Sequence, residues 1–259
     1  MDALRIGASG MMAQQRNVEV VANNLANMNT TGYQRRRTEF HDLIYKNSER
    51  PDGAGSRAGE QVLGGVQSGH GVDLMSVYRV TEQGNLRATN SSFDLAIQGK
   101  GYFQIQLPDG DVGYTRDGTF QLDSSGALVT HDGYPVLPGV QVPPDSVDIS
   151  INATGEVLVK QDGDATPTNV GVVQLAMFPN EGGLNAEGNN FYTATAASGA
   201  ASLVNPGEGG AGSVLQGFIE ASNVNAVEEI AEMIRAQRAY DMNSKVIQTA
   251  DQMMAPSNK

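Results

Sequence analysis

Apolar and small residues recur with a heptad spacing near the start of the chain. Between residues 3 and 28 they fall alternately four and three positions apart. This spacing is typical of a helix that pairs with another helix along one seam. The seam residues are Leu4, Ala8, Met11, Gln15, Val18, Ala22 and Leu25. We therefore predict a helix here, capped by Asp2 and followed by a left-handed turn at Gly32.

The other end of the chain has a similar pattern. Asn225 and Glu228 resemble a capping box, and Pro256 marks a stop. The seam residues that follow the cap are Ile230, Met233, Ile234, Gln237, Tyr240, Ile247 and Met254. Acidic residues lie early in this segment and basic residues late, which suits the helix dipole. A second long helix is predicted.

Both heptad seams are weak for an isolated coiled coil. Ala, Gln and Ser occupy positions where Leu, Ile or Val would give stability, and Gln15 and Gln237 are placed to fix the register at a cost in stability. We expect the two helices to pair as a coiled-coil-like domain that needs further partners. The alternative is an ordinary amphipathic helix packed on its own domain.

Between the helices the hydrophobic period changes to two. Phe103, Ile105 and Leu107 alternate with polar residues, as on one face of a strand. Turn pairs follow at Asp109-Gly110, Asp117-Gly118, Ser125-Gly126 and Asp132-Gly133. Further strands are predicted at 148–151, 157–160 and 172–178, and a surface segment at 180–212. The pattern predicts an α+β fold, with a β-rich domain of short, mostly antiparallel hairpins inserted between two helices.

A polar, glycine-rich segment without any period separates the first helix from the strands. It covers residues 46–69 and is predicted to be a long loop or extended arm. The expected division is a helical assembly domain at 1–32 and 223–259, a connecting arm at 33–71 and a β-rich outer domain at 72–222.

The composition excludes several classes of function. A net charge of −12 argues against a nucleic-acid partner, and the basic run Arg35-Arg36-Arg37 is interpreted as a solvated face or a subunit contact. The chain has no cysteine, so it has no disulfide, thiolate metal site or cysteine nucleophile. No segment approaches the roughly 18 apolar residues of a membrane span, and no signal-peptide pattern is present. Export, if it occurs, is expected without a cleaved signal.

No residue pattern indicates chemistry. His41, His70 and His131 stand alone, without a second ligand at metal-site spacing. The segment 7–10 lacks the spacing of a nucleophile elbow, and its small residues are interpreted as permitting close helix packing. The segment 162–164 lacks the ligand pattern of a calcium loop. We predict no catalytic residue, no cofactor and no metal. Two other classes stay open from the residues alone: a cell-wall-acting enzyme with a carboxylate pair in 93–200, and a monomeric binding module.

Three segments resemble the family of flagellar rod and hook axial proteins. VVANNLANMNTTGYQRRRTEF (20–40) is similar to the family's amino-terminal signature, in which an asparagine-rich helix end leads into a Thr-Gly-aromatic-basic segment. Residues 217–254 resemble its carboxy-terminal helix, and residues 93–136 resemble its β domain. Within the family, the length argues against a hook protein and against the smallest proximal rod proteins. The arm at 46–69 resembles an insertion of the distal rod subunit and favours it over a closely related proximal rod subunit.

The resemblance implies a structural, self-assembling subunit and not an enzyme. Helices from many copies would form an inner tube through the two heptad seams, with the β domains outside, and the polymer would transmit torque from motor to hook. The implied partners are further copies, proximal rod proteins, the hook protein and the surrounding P- and L-ring proteins. The implied location is the basal-body rod that crosses the periplasm, reached by unfolded export through the flagellar channel.

Overall fold

A computed structural model describes residues 2–47, 67–162 and 166–254 of the 259. It divides the chain into two compact units. The first unit lies within Met1–Leu25, Arg36–Tyr78 and Asn225–Lys259, and the second within Ala26–Arg35 and Arg79–Val224. The class is α+β, with two helices at the ends of the chain and antiparallel strands between them, as predicted.

The two predicted helices are present. α1 spans Asp2–Ala26 and α2 spans Ala226–Met254. The Asn225 side-chain oxygen accepts a hydrogen bond from the backbone N–H of Val227 at 3.1 Å, which caps the start of α2. Beyond α1, Gly32 has a φ of +67°, so the predicted left-handed turn is also confirmed.

The strands of the first unit form two short ribbons. β1 (Arg36–Asp42) pairs with β4 (Val72–Arg79), and β2 (Lys46–Asn47) pairs antiparallel with β3 (Gln67–Ser68). Hydrogen bonds hold this region to α1: the Thr38 hydroxyl donates to Asn17 Oδ1 at 2.7 Å, and the N–H of Val72 donates to Ser9 Oγ at 3.3 Å. The rest of the arm predicted at 46–69 lies outside the described residues, apart from Gly69, which follows β3.

The second unit consists of short strands in several sheets. They are β5 (Leu86–Ala88), β6 (Leu95–Gln98), β7 (Tyr102–Gln106), β8 (Val112–Thr115), β9 (Phe120–Leu122), β10 (Leu128–Thr130), β11 (Ser146–Ile151), β12 (Glu156–Gln161), β13 (Thr168–Val172), β14 (Leu175–Met177), β15 (Asn185–Gly188), β16 (Phe191–Thr193), β17 (Ser202–Val204), β18 (Ser213–Gln216) and β19 (Phe218–Glu220). A six-stranded sheet has the order β15-β16-β8-β7-β14-β17. β11-β12-β13 form a second sheet, and three pairs complete the unit: β9-β10, β6-β18 and β5-β19.

The core of the second unit lies on both faces of the six-stranded sheet. Phe103, Ile105 and Leu175 belong to the larger apolar cluster, while Tyr102 and Ala176, beside them in sequence, belong to the smaller one. The predicted strand face of Phe103, Ile105 and Leu107 is confirmed, with Leu107 packed against the larger cluster. Burial of the opposite face of β7 was not predicted, because the hydroxyl of Tyr102 and the amide of Gln104 are polar groups.

Two predictions for the later part of the β region were wrong in part. The strand expected at 172–178 is shorter: β14 covers Leu175–Met177, and Val172 is the last residue of β13. The surface segment expected at 180–212 contains β15, β16 and β17, which belong to the six-stranded sheet, and it buries Phe191 and Tyr192. These strands have three or four residues, too few to show a hydrophobic period.

Candidate assembly surface

The two helices contact each other in opposite directions. A methyl group built on Gly7 would lie 2.8 Å from Ile247 Cγ1, and one built on Gly10 would lie 2.7 Å from Asn243 Nδ2. At the other end, Asn24 Nδ2 donates to Glu229 Oε2 at 3.1 Å. The start of α1 therefore lies beside the end of α2, and the end of α1 beside the start of α2.

Small and polar residues are buried on these helices. The buried residues, most of them small or polar, are Gly7, Ala13, Val21 and Asn24 on α1 and Glu229, Ala236 and Ala250 on α2. Small residues allow two helix backbones to approach closely, because no large side chain holds them apart. The interpretation of residues 7–10 as small residues that permit close helix packing is confirmed at Gly7. The other buried residues fall outside both heptads, so the seam prediction did not include them.

The predicted seam residues lie mostly on other parts of the helix surface. On α1, Leu4, Ala8, Met11, Val18 and Leu25 are half-buried, and Gln15 and Ala22 are exposed. On α2, Met233 and Ile247 are half-buried, and Ile230, Ile234, Gln237 and Tyr240 are exposed. The Met254 side chain lies outside the described part of the structure. Ile230 and Ile234 keep 47% and 46% of their surface open, so these residues are available for contacts beyond the single chain.

Further apolar side chains are exposed in the first unit. Val227 and Val246 lie on α2, and Met75 and Val77 lie on β4. Ile44 follows β1 and is also exposed. The sequence analysis did not select these residues, since they fall outside both heptads. Together with the exposed seam residues, they give the first unit many exposed apolar side chains.

The second unit contains a buried ion pair. Arg116 Nε lies 2.8 Å from Glu220 Oε2, and both side chains are 3% exposed. The other Arg116 nitrogens donate to the carbonyl oxygens of Gly99 at 2.8 Å and Gly101 at 3.0 Å. Glu220 Oε1 accepts a hydrogen bond from the N–H of Gly84. Each Arg116 nitrogen and each Glu220 carboxylate oxygen therefore has a protein partner, and the pair links the loops around it.

A second polar cluster surrounds Tyr102. Its hydroxyl donates to Glu181 Oε2 at 3.3 Å. Burial, and then the charge of Glu181, raise the pKa of Tyr102 well above its ordinary value, so the hydroxyl stays protonated. Arg79 lies 4.1 Å above the ring of Tyr192 and donates to the carbonyl oxygens of Glu181 and Leu184. This cluster fastens the short 3₁₀ turn at Glu181–Gly183 to the sheet.

The described residues contain no group of three His, Asp, Glu or Cys side chains that could hold a metal ion. Among the helices that the structure describes, none is both long and apolar enough to cross a membrane. Two cavities of about 370 and 350 Å³ in the second unit carry one acidic residue each, Asp148 and Asp123. Two carboxylates, Asp117 and Asp132, line a third cavity, but its volume of about 30 Å³ is too small to hold a sugar ring. The segment 162–164 lies outside the described residues except for Asp162.

The comparisons with known proteins follow the same three segments as the resemblance. Residues 4–34 match a family model described as flagella basal body rod protein, and residues 96–159 match the flagellar hook protein FlgE/F/G D1 domain. Residues 215–259 match the flagellar basal body rod FlgEFG protein C-terminal model.

The chain is 56% identical over 259 residues to the flagellar basal-body rod protein FlgG of Caulobacter vibrioides, covering 100% of this chain and 99% of that protein. Identity to the FlgG of Agrobacterium fabrum is 46% over 260 residues, covering 100% and 99%. The chain belongs to the FlgG family of flagellar basal-body rod proteins. The flagellar hook-basal body complex protein FlhP of Bacillus subtilis is 33% identical over 258 residues, with 94% and 93% covered.

Membership of the FlgG family confirms the prediction of a structural subunit of the flagellar distal rod, located in the basal body. It also confirms the prediction that the chain is not an enzyme. The residues that join one copy to the next stay a prediction, as do the domain boundaries.

Proposed function

We propose that the chain polymerises through α1 and α2 into a tubular rod that transmits torque from the motor to the hook. One observation carries the proposal: the helices contact each other through small residues, while large apolar residues such as Ile230 and Ile234 stay exposed. Exposed apolar surface of this extent is stabilised when it is buried between copies. The seam residues named from the sequence are the proposed interface.

The proposed inner layer is the helical domain, residues 1–32 and 223–259 paired in a coiled-coil-like manner, and the proposed outer layer is the β-rich domain, residues 72–222, joined by the arm at 33–71. The distribution of exposed apolar residues supports this arrangement. Among the described residues, the large hydrophobic side chains that are exposed outside the first unit are Met28, Val112, Val147 and Leu203. The other exposed ones, including those of both helices, belong to the first unit.

The proposed partners are further copies along the rod, proximal rod proteins at one end, the hook protein at the other end, and the P- and L-ring proteins around the rod. Unfolded export through the flagellar channel is the proposed route. The absence of cysteine supports that route, since no disulfide can obstruct the passage of the chain. The weak seams support ordering of the helices by neighbouring copies.

Replacing Ile234 with Asp tests the proposed interface, because burial of an unpaired carboxylate between copies is costly. Ile234→Asp should abolish polymerisation while the β-rich domain keeps its circular dichroism and its unfolding midpoint. Gln248→Asp is the matched control, since it adds the same charge at an exposed polar position of α2 and should still polymerise. Polymers of normal stability from Ile234→Asp would contradict the proposal. Ile247→Asp adds a second test at a residue that also touches α1.

Hydrogen exchange separates the rod subunit from a monomeric binding module. Amides of residues 2–28 and 226–254 should exchange quickly in dilute monomer and slowly in the polymer, since the neighbours supply the ordering free energy. Full protection of both helices in the monomer would favour the binding module instead.

A further inference from the structure

Methionine is distributed unevenly between the two units. The chain has ten methionines, and Met28 and Met177 are those that lie outside the ranges of the first unit. On the helices, Met12 is 70% exposed, Met242 is 61% exposed and Met253 is 69% exposed. These three thioether side chains are thus open to solvent in the single chain, whereas those of Met11 and Met233 are half-buried.

Two of these methionines lie where the helices approach each other. Gly10 and Asn243 mark a point of close contact between α1 and α2. Met12 is two residues from Gly10, and Met242 is next to Asn243. The two exposed side chains therefore occupy the same level of the helix pair, and Met253 lies in the last turn of α2.

Methionine has chemical properties that suit a contact between copies. Its unbranched, flexible side chain adapts to irregular apolar surfaces. It is also readily oxidised to a polar, chiral sulfoxide, which disrupts methionine-rich interfaces. Because the chain has no cysteine, methionine is the main sulfur target for a peroxide.

We propose that Met12, Met242 and Met253 are three oxidation-sensitive positions on the exposed helix surface that further copies cover, beside the seam residues. Oxidation of these three residues in the free chain blocks polymerisation, and polymerisation in turn shields them from oxidant. This inference rests on the proposed polymerisation through the helices. It assigns to these side chains a modification chemistry and a control over assembly.

The reaction needs hydrogen peroxide as the oxidant. The thioether sulfur attacks one peroxide oxygen, an S–O bond forms and the O–O bond breaks. The sulfur loses two electrons, the peroxide is reduced, and the second oxygen leaves as water after proton transfer. The sulfoxide oxygen is a strong hydrogen-bond acceptor, so its burial in an apolar contact is unfavourable.

The first test treats the full-length monomer with hydrogen peroxide and measures oxidation of each methionine by peptide mass spectrometry. Polymerisation, followed by light scattering and electron microscopy, should slow by about tenfold or more as the three helix methionines are oxidised. Methionine sulfoxide reductases A and B should restore it, since they reduce both sulfoxide epimers. In preformed polymer, oxidation of Met12, Met242 and Met253 should be slower than in monomer. Equal polymerisation of oxidised and unoxidised protein would overturn the inference.

Leucine variants locate the effect. The triple variant Met12→Leu, Met242→Leu, Met253→Leu keeps the apolar volume and should polymerise after peroxide treatment as the untreated parent does. The control variant Met28→Leu, Met75→Leu removes exposed methionines outside the helices and should stay sensitive. A triple variant that peroxide inhibits as strongly as the parent overturns the assignment. Failure of the untreated parent to polymerise would contradict the proposed function itself, and this inference with it.

Discussion

Arg116 and Glu220 form an ion pair with 2.8 Å between Arg116 Nε and Glu220 Oε2, and both side chains are buried. Glu220→Gln removes the negative charge and leaves the guanidinium buried without its counter-ion. We expect the free energy of unfolding of the second unit to fall by about 3–5 kcal/mol, the usual cost of breaking one side of a buried pair. Urea denaturation followed by tyrosine fluorescence measures this loss.

The control for this prediction is an exposed ion pair. Arg235 Nη1 lies 2.6 Å from Glu232 Oε1, with 70% and 48% of the two side chains open to solvent. Glu232→Gln should change stability by less than about 1 kcal/mol, because water already screens this pair. A loss at Glu220→Gln no larger than that at Glu232→Gln would show that the buried pair does not stabilise the fold.

Gly7 on α1 tests how closely the helices must approach. Alanine is better than glycine in a helix by about 1 kcal/mol, so Gly7→Ala should raise the helicity of a peptide that contains α1 alone. In the assembled chain the new methyl would lie 2.8 Å from Ile247 Cγ1 and force the helices apart. We expect the polymer to lose about 1–3 kcal/mol of stability, measured by its dissociation in urea.

The double variant Gly7→Ala, Ile247→Ala gives back the space and should recover part of this loss. Gly10→Ala is the matched control, because the nearest atom there is the end of the Asn243 side chain, which can turn away. Its effect should be smaller. An unchanged polymer for Gly7→Ala would contradict the close approach of the two helices.

Features governed by neighbouring residues could be predicted from the sequence. The helix cap at Asn225 depends on adjacent groups, and glycine at position 32 suits a left-handed turn; both are present, and the N–H of Gly32 also donates to the distant carbonyl oxygen of Glu220. The turns at Gly126 and Gly133 also have positive φ, as their residue pairs indicated. The residue types at these positions are enough to predict such features.

Features that depend on distant partners could not be predicted. Arg116 and Glu220 are 104 residues apart, and nothing near either residue indicates its partner. With three residues, β16 is too short to show an alternating hydrophobic pattern, yet its Tyr192 pairs with Tyr114 in the six-stranded sheet. The small residues at 7–10 indicated close helix packing, but nothing near Gly7 indicates that its partner is Ile247 on the distant α2.

Asn24 is predicted to stabilise the helix contact through Glu229. Its side-chain nitrogen donates to Glu229 Oε2 at 3.1 Å and to the carbonyl oxygen of Arg36 at 2.8 Å, and both Asn24 and Glu229 are buried. Asn24→Ala leaves the carboxylate without this donor and should lower the stability of the assembled chain by about 1–3 kcal/mol. Urea denaturation of the polymer measures the loss.

A double-mutant cycle separates the Asn24–Glu229 interaction from the bonds that Asn24 makes to Arg36. The double variant Asn24→Ala, Glu229→Ala should lose less free energy of unfolding than the two single variants lose in sum. The expected coupling energy is about 0.5–3 kcal/mol. Additive effects would show that Asn24 acts only through the backbone of Arg36.

Asp117 and Asp123 should make opposite contributions to the pH dependence of stability. Burial raises the pKa of Asp117 above its ordinary value of 3.8, although Thr119 donates to its carboxylate through N–H and hydroxyl. The folded state then binds the proton more tightly than the unfolded state. The contribution of Asp117 is therefore most favourable below the unfolded pKa and is lost as pH rises through the folded pKa.

Hydrogen bonds from Ser125 and then from the N–H of Ala127 lower the pKa of the exposed Asp123. Its contribution is favourable above the unfolded pKa and is lost as pH falls through the folded pKa. Asparagine at position 117 or 123 keeps an oxygen acceptor but does not titrate.

At neutral pH, the variant Asp117→Asn should therefore be at least as stable as the parent protein, and the variant Asp123→Asn should be less stable. Urea unfolding from about pH 3 to pH 7 should show both differences shrinking towards the acid end, and shifts of the same sign would contradict the opposite environments of the two carboxylates.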